Sequence, residues 1–107
     1  MPGAKSPKRK VKLSMDKIQI ENFEFSGSTI EMLQGKLLLI QGKVGMLGCG
    51  YFNIAVADKL GSAMATVSGV SCYDDMLSAR VNAVSARAAE CGVKIGMTGK
   101  EALLIMK

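Results

Sequence analysis

The sequence predicts an α+β domain, with antiparallel strands first and a β-α-β-α-α part after them. Three observations carry this. Strand-like apolar runs punctuated by turn residues fill Leu13 to Cys49, whereas helix-capping signals appear only in the second half. The twelve residues between the run ending at Cys49 and the run starting near Ser62 include a helix signal, which is enough chain for one βαβ crossover joining two parallel strands. Strands grouped ahead of helices argue against a doubly wound sheet.

In chain order, Leu13 and Met15 share one parity, Ile18 and Ile20 the other, and Phe23 and Phe25 return to the first. Breaks of a period-two pattern predict turns or bulges near Asp16-Lys17 and Glu21-Asn22. Ser26-Gly27-Ser28 reads as a turn cluster, Ile30 and Met32 as a strand, and Gln34-Gly35 as its end. Leu37-Leu38-Leu39-Ile40 runs without alternation, as in a strand covered on both faces, and Gln41-Gly42-Lys43 turns the chain back into Val44 to Cys49.

Asn53 suits an N-cap and Gly61 a C-terminal stop for a helix over Ile54 to Leu60. Ala63 to Val67 reads as a strand. Leu77, Val81, Val84, Ala88 and Cys91 recur at steps of four, three, four and three, which predicts one helix from Ser71 to Cys91 with Cys91 in the core. Ser71-x-x-Asp74 is its expected capping box, Gly92 its stop, and Arg80 and Arg87 fall on one face of it. Thr98-x-x-Glu101 opens a last helix through Ala102 to Met106.

Charge is unevenly distributed along the 107 residues. Lys5, Lys8, Arg9, Lys10 and Lys12 account for the whole net charge of +5, so residues 1–12 read as a flexible basic arm on a neutral domain, residues 13–107. The arm suits weak, salt-sensitive nucleic-acid contact through residues 5–12, because base-stacking aromatics are few. The absence of histidine removes Ser-His and Cys-His dyads and His-containing metal sites. Cys49, Cys72 and Cys91 show no C-x-x-C spacing, so no metal site and no cofactor are expected, and a reducing cytoplasmic setting fits them. No apolar run is long enough to span a membrane.

The crossover brings chemistry to one sheet edge. Two parallel strands would each run through a glycine-bearing loop into a helix, at Gly48-Cys49-Gly50-Tyr51-Phe52-Asn53 and Ser68-Gly69-Val70-Ser71-Cys72. Glycines allow a close approach to the backbone, and free N–H groups at helix starts favour an anion. Gly48, Gly50, Asn53, Ser68, Gly69 and Ser71 are therefore the candidate ligand-binding residues. Cys49 is the candidate catalytic residue, as nucleophile or redox thiol, although no histidine is present to act as its base. The glycines at 42, 45, 48 and 50 do not form a dinucleotide fingerprint, and Gly96 to Glu101 departs from a phosphate loop where Glu101 replaces Ser or Thr.

Several segments taken together resemble a known family. These are Val44 to Asn53, Gly69-Val70 leading into Asp74-Asp75-Met76-Leu77, and Gly92 to Leu103, with order and spacing kept over about 60% of the chain. The sequence resembles the YunC-like family, a small prokaryotic domain of unknown function. That resemblance implies a β-rich N-terminal part, residues 13–47, used for self-association, an α/β part over residues 48–107, and no established activity or cofactor. It also implies a homo-oligomer, with a tetramer among the expected forms. The family's Cys-Gly pair falls on Cys49 and Gly50, and some members carry Asp where this chain has Asn53.

The sequence thus favours a homo-oligomeric protein that binds a small anionic ligand at the two junctions. A cysteine-dependent enzyme using Cys49 and a nucleic-acid-associated module acting through the arm are the alternatives. With no recognisable catalytic constellation, binding is preferred over catalysis.

Overall fold

Residues 12–107 are described by the structure, a computed structural model. The expected arm lies outside the described residues except for Lys12, which begins the first strand. The strands are β1 (Lys12–Ile20), β2 (Phe23–Met32), β3 (Gly35–Gln41), β4 (Gly45–Gly48), β5 (Ala63–Thr66) and β6 (Ala83–Val84). The helices are α1 (Ile54–Leu60), α2 (Tyr73–Ser78), α3 (Ala86–Cys91) and α4 (Gly99–Ile105). The six strands form one sheet in sequence order, antiparallel throughout except for the parallel pair β4 and β5. The expected α+β class and the crossover through α1 are both present, and a further strand and helix extend the C-terminal part.

The N-terminal pattern has a different cause from the one read in the sequence. β1 continues without a break through Asp16-Lys17, and only Glu21-Asn22 turns. The parity shift arises because the two halves of β1 place apolar residues on opposite faces. Ile20 is buried in the core, whereas Leu13 and Met15 stand on the other face, 60% and 68% exposed. Ser26-Gly27-Ser28 is not a turn but the middle of β2. Gly27 is needed there because a Cβ would lie 2.5 Å from Ile18 Cδ1 and 2.8 Å from the Tyr73 ring. β3 is covered on one face only: Leu38 and Ile40 are fully buried, while Leu37 and Leu39 are half-buried.

The core lies on the sheet face that carries Phe25, Leu38, Ile40, Leu47 and Ala65, closed by Met76, Ala88, Leu103 and Met106 from the helices. Burial of this apolar set is the main favourable term for the fold. Asn53 caps α1 by accepting from the Ala55 N–H at 2.8 Å, and Gly61 ends it in the left-handed conformation, both as expected. Thr98 and Glu101 form the expected reciprocal capping box of α4.

The long helix from Ser71 to Cys91 does not form. Tyr73–Ser78 and Ala86–Cys91 are separate helices with β6 between them. Ser78 Oγ donates back to the carbonyls of Asp74 and Asp75, which competes with helix continuation. Beyond it the backbone finds better partners across the fold: Val81 N–H donates to the Met97 carbonyl, Asn82 N–H to Thr66 and Ser85 N–H to Met64. Arg80 and Arg87 consequently share no helix, and Arg80 is held by its bond to the Gly96 carbonyl. Cys91 is exposed rather than in the core, because α3 starts afresh at Ser85 and buries Ala88 instead. Ser71 is not the cap of α2. Cys72 holds that position, and Ser71 bonds Asp75 through both its N–H and its hydroxyl.

Ser85 joins the new strand to the core. Its fully buried hydroxyl accepts from the N–H groups of Met64 at 2.9 Å and Ala88 at 3.2 Å and donates to the Ser62 carbonyl at 2.7 Å. Replacement Ser85→Ala strands those groups, and a loss of about 1–3 kcal/mol in urea denaturation is expected.

The Glu101 carboxyl is held below its ordinary range by the Thr98 N–H and then the Thr98 side chain. A carboxyl depressed in the folded state stabilises the fold above its unfolded pKa of about 4.3, and that contribution is lost as pH falls through the lower folded value. Thermal melts of Glu101→Gln should therefore show a lower Tm than the parent at pH 7, with the difference closing as the pH drops below the carboxylate range.

Candidate functional site

The parallel pairing of β4 with β5 sends both strand exits to the same edge of the sheet. The pairing runs past the strand ends, with Val67 N–H donating to the Gly48 carbonyl at 2.9 Å. From there the two loops diverge around an open pocket of about 330 Å³. It is lined by Cys49, Gly50 and Tyr51 from the first loop, Gly69 and Val70 from the second, and Gly35 and Lys36 at the start of β3, just after the β2–β3 turn. The turn is tied to the first loop by the Tyr51 hydroxyl, which donates to the Gln34 carbonyl at 3.3 Å.

Three of the sequence-derived candidates, Cys49, Gly50 and Gly69, meet in this pocket. The others have local roles. Gly48 is buried under the Phe52 ring. Asn53 is occupied in capping α1 and faces an apolar groove beside Met46, Val56, Leu60 and Met64. Ser68 Oγ accepts from the Asn82 amide, whose carbonyl oxygen accepts in turn from Thr66 Oγ1. Ser71 is engaged with Asp75, and this bond holds the Asp75 carboxyl below its usual range. The start of α1 is thus capped from within the chain and Asp75 of α2 bonds back to Ser71, while the residues that line the pocket belong to the loops and the start of β3.

Among the described residues, the N–H groups of Gly50, Tyr51, Gly69 and Val70 have no acceptor. Gly50 and Gly69 leave open space above the backbone, since a Cβ on either would meet nothing within 4 Å. Among the described residues, Lys36 is the one cationic side chain lining the pocket. Sequence reasoning missed Lys36 because it comes from the start of β3, distant in the chain from both loops. Its only signal was its place directly after Gly35.

Cys49 forms the floor of the pocket at 3% exposure. Its sulfur accepts from the Leu38 N–H at 3.3 Å, and its own N–H donates to the Leu38 carbonyl at 3.1 Å, so the residue also extends the β3–β4 pairing. Behind the second loop, Tyr73 donates to Asp16 Oδ2 at 2.9 Å and accepts from Thr29 at 2.8 Å, linking α2 to β1 and β2. Burial raises the Tyr73 phenol above its usual value, with Thr29 opposing and Asp16 adding to the shift. No group of three His, Cys, Asp or Glu able to hold a metal occurs among the described residues. No helix among them is long and apolar enough to cross a membrane.

Burial separates the three thiols in reactivity. Iodoacetamide added to the folded protein should label the exposed Cys72 and Cys91 well before Cys49, as read by peptide mass spectrometry, and all three should react in denaturant. Labelling of Cys49 as fast as Cys72 in the folded state would contradict its packed position.

The architecture matches known proteins along most of its length. The family described as "Domain of unknown function (DUF1805)" matches residues 48–106. "Uncharacterized protein YunC" of Bacillus subtilis is 30% identical over 98 residues, spanning 88% of this chain and 97% of that protein. The crystal structure of TA1206, a protein of unknown function from Thermoplasma acidophilum, has a TM-score of 0.87 at 28% identity and covers 92% of this chain and 97% of its own. With more than half its residues matched by the family and nearly its whole length by a relative, this chain belongs to the family described as a domain of unknown function, DUF1805.

Proposed function

We propose that this protein is a homo-oligomeric binding protein that associates through its β1–β3 region and takes a small anionic ligand in the pocket at the strand exits. The observation that carries the ligand reading is that two glycine-bearing loops and Lys36, from three separate parts of the chain, line one pocket. Unpaired backbone N–H groups in loops beside a lysine favour negative charge, and glycines let a phosphate or carboxylate reach them. The loops support this reading in place of the helix starts, because α1 and α2 have only seven and six residues, Asn53 caps the first, and Asp75 in the second bonds back to Ser71.

Self-association is supported by the sheet face away from the core. The rows Leu13, Ile30, Leu37 and Met15, Ser28, Leu39 cross three strands on that face, and both are largely apolar. Their members are exposed or half-buried, forming a continuous patch in place of scattered single residues.

The cysteine reading uses the same pocket, since Cys49 lies at its floor. An anion held by the loop N–H groups would sit beside the thiol, so ligand binding comes before any thiol chemistry.

A thermal-shift panel of inorganic phosphate, nucleotides and small carboxylates, run alongside light scattering, tests the proposal. At least one anion class should raise the Tm, and the mass in solution should be a multiple of 11.3 kDa. Lys36→Gln should weaken that ligand about tenfold, corresponding to one charge-assisted hydrogen bond of about 1.5 kcal/mol. Gly50→Val should block it while leaving the Tm of the free protein close to that of the parent, because the space above Gly50 is open. A flat panel overturns the ligand reading, and a monomer overturns the assembly reading.

A further inference from the structure

We infer that the ligand is an amphiphilic anion, a carboxylate or phosphate ester that carries an unbranched apolar tail. Its charged end occupies the pocket at the strand exits, and its tail lies in the groove between α1 and the sheet. The inference rests on the anion reading and deepens it by naming the rest of the molecule.

The groove is a second concavity, of about 390 Å³. Met46 and Met64, register partners on β4 and β5, line it from the sheet, and Phe52, Val56 and Leu60 line it from the first loop and α1. Val56 and Leu60 stand one helical turn apart and are 51% and 75% exposed, so α1 presents an apolar stripe that the chain itself leaves open. The polar groups at the edge of the groove are engaged elsewhere: Asn53 Oδ1 accepts from the Ala55 N–H, and the Ser62 N–H donates to the Ala57 carbonyl. Among the described residues, no charged side chain lines the groove. A cavity of this size with an apolar lining suits part of a small molecule, and the two methionines can adapt to the shape of a tail.

Tyr51 connects the groove to the pocket, for among the described residues it is the one that lines both. Its hydroxyl donates to the Gln34 carbonyl at 3.3 Å, which ties it to the turn just before Lys36. Charge complementarity then sets the orientation of the guest. Lys36 and the unpaired N–H groups of Gly50 and Gly69 lie on the pocket side of Tyr51, and the apolar lining lies on the other. A bare anion leaves Val56 and Leu60 in water, and an uncharged chain leaves Lys36 and the loop N–H groups unmatched. A molecule with both parts satisfies the two cavities together.

Isothermal titration of the full chain tests this, using straight-chain carboxylates from acetate to dodecanoate and alkyl phosphates from methyl to dodecyl, all below their micelle concentrations. In at least one series, affinity should rise about fourfold per added methylene, the equivalent of about 0.8 kcal/mol for each one buried. The gain should level off at about eight carbons, because α1 with its seven residues is only about 10 Å long. Octanol, which has the tail without the charge, should bind about tenfold more weakly than the charged eight-carbon ligand. Leu60→Glu, at an exposed position, should lower the preference for the eight-carbon ligand over the shortest one about tenfold by placing a charge in the groove. Short anions that bind in a series with no dependence on chain length overturn the tail and leave the anion reading standing. Octanol binding as tightly as its charged counterparts separates the groove from the pocket and also overturns the inference. If Leu60→Glu lowers the mass in solution and keeps the chain-length preference, a second copy is the occupant of the groove, with the same result. Binding of no anion at all overturns the anion reading itself, and this inference with it.

Discussion

The parallel pairing of β4 with β5 is the constraint on which the rest of the molecule depends. The chain reaches β4 as a simple antiparallel meander, and one more hairpin would have sent β5 back the other way. Routing the connection through α1 makes Gly45–Gly48 and Ala63–Thr66 run in the same direction, so both leave the sheet at one edge. The loops that follow therefore meet, and the β2–β3 turn reaches them because Leu38 and Cys49 exchange backbone and thiol hydrogen bonds. A pocket made from three separated segments follows from that one change of strand direction.

The same pairing explains the C-terminal third. A four-residue β5 leaves its second edge open, and residues 79–85 cross to fill it. Ser85 fastens the join by satisfying a strand N–H, a helix N–H and a loop carbonyl with one hydroxyl inside the core. Helix formation over this stretch would leave those groups unpartnered in an apolar interior, which costs more than local propensity returns. α4 then closes the core over β4 and can approach α2 only through Gly99, where a Cβ would collide with the Met76 carbonyl.

Elements whose signals are local were legible in the chain. Asn53 and Gly61 bound α1, and Thr98 with Glu101 opens α4, because a cap is a contact between residues a few positions apart. The helix expected from Ser71 to Cys91 was not. Of its expected apolar positions, Val81 and Ala88 are buried, Leu77 and Val84 half-buried and Cys91 exposed, because helix, strand and helix place them in turn. Likewise Gly27 read as a turn, although it marks the place where Ile18 and Tyr73 cross β2.

By itself the sequence determined the α+β class, the crossover, the caps of α1 and α4 and two of the three walls of the candidate pocket, at Cys49-Gly50 and Gly69. These rest on short-range patterns and on the minimum length a parallel connection needs. Tertiary structure alone decided that Lys36 and Tyr51 complete the pocket, that Ser68 and Ser71 turn to internal partners, and that Ala83–Val84 become strand. Each of those outcomes turns on which distant group offers a hydrogen bond or a space to fill, and such offers exist only once the sheet has formed.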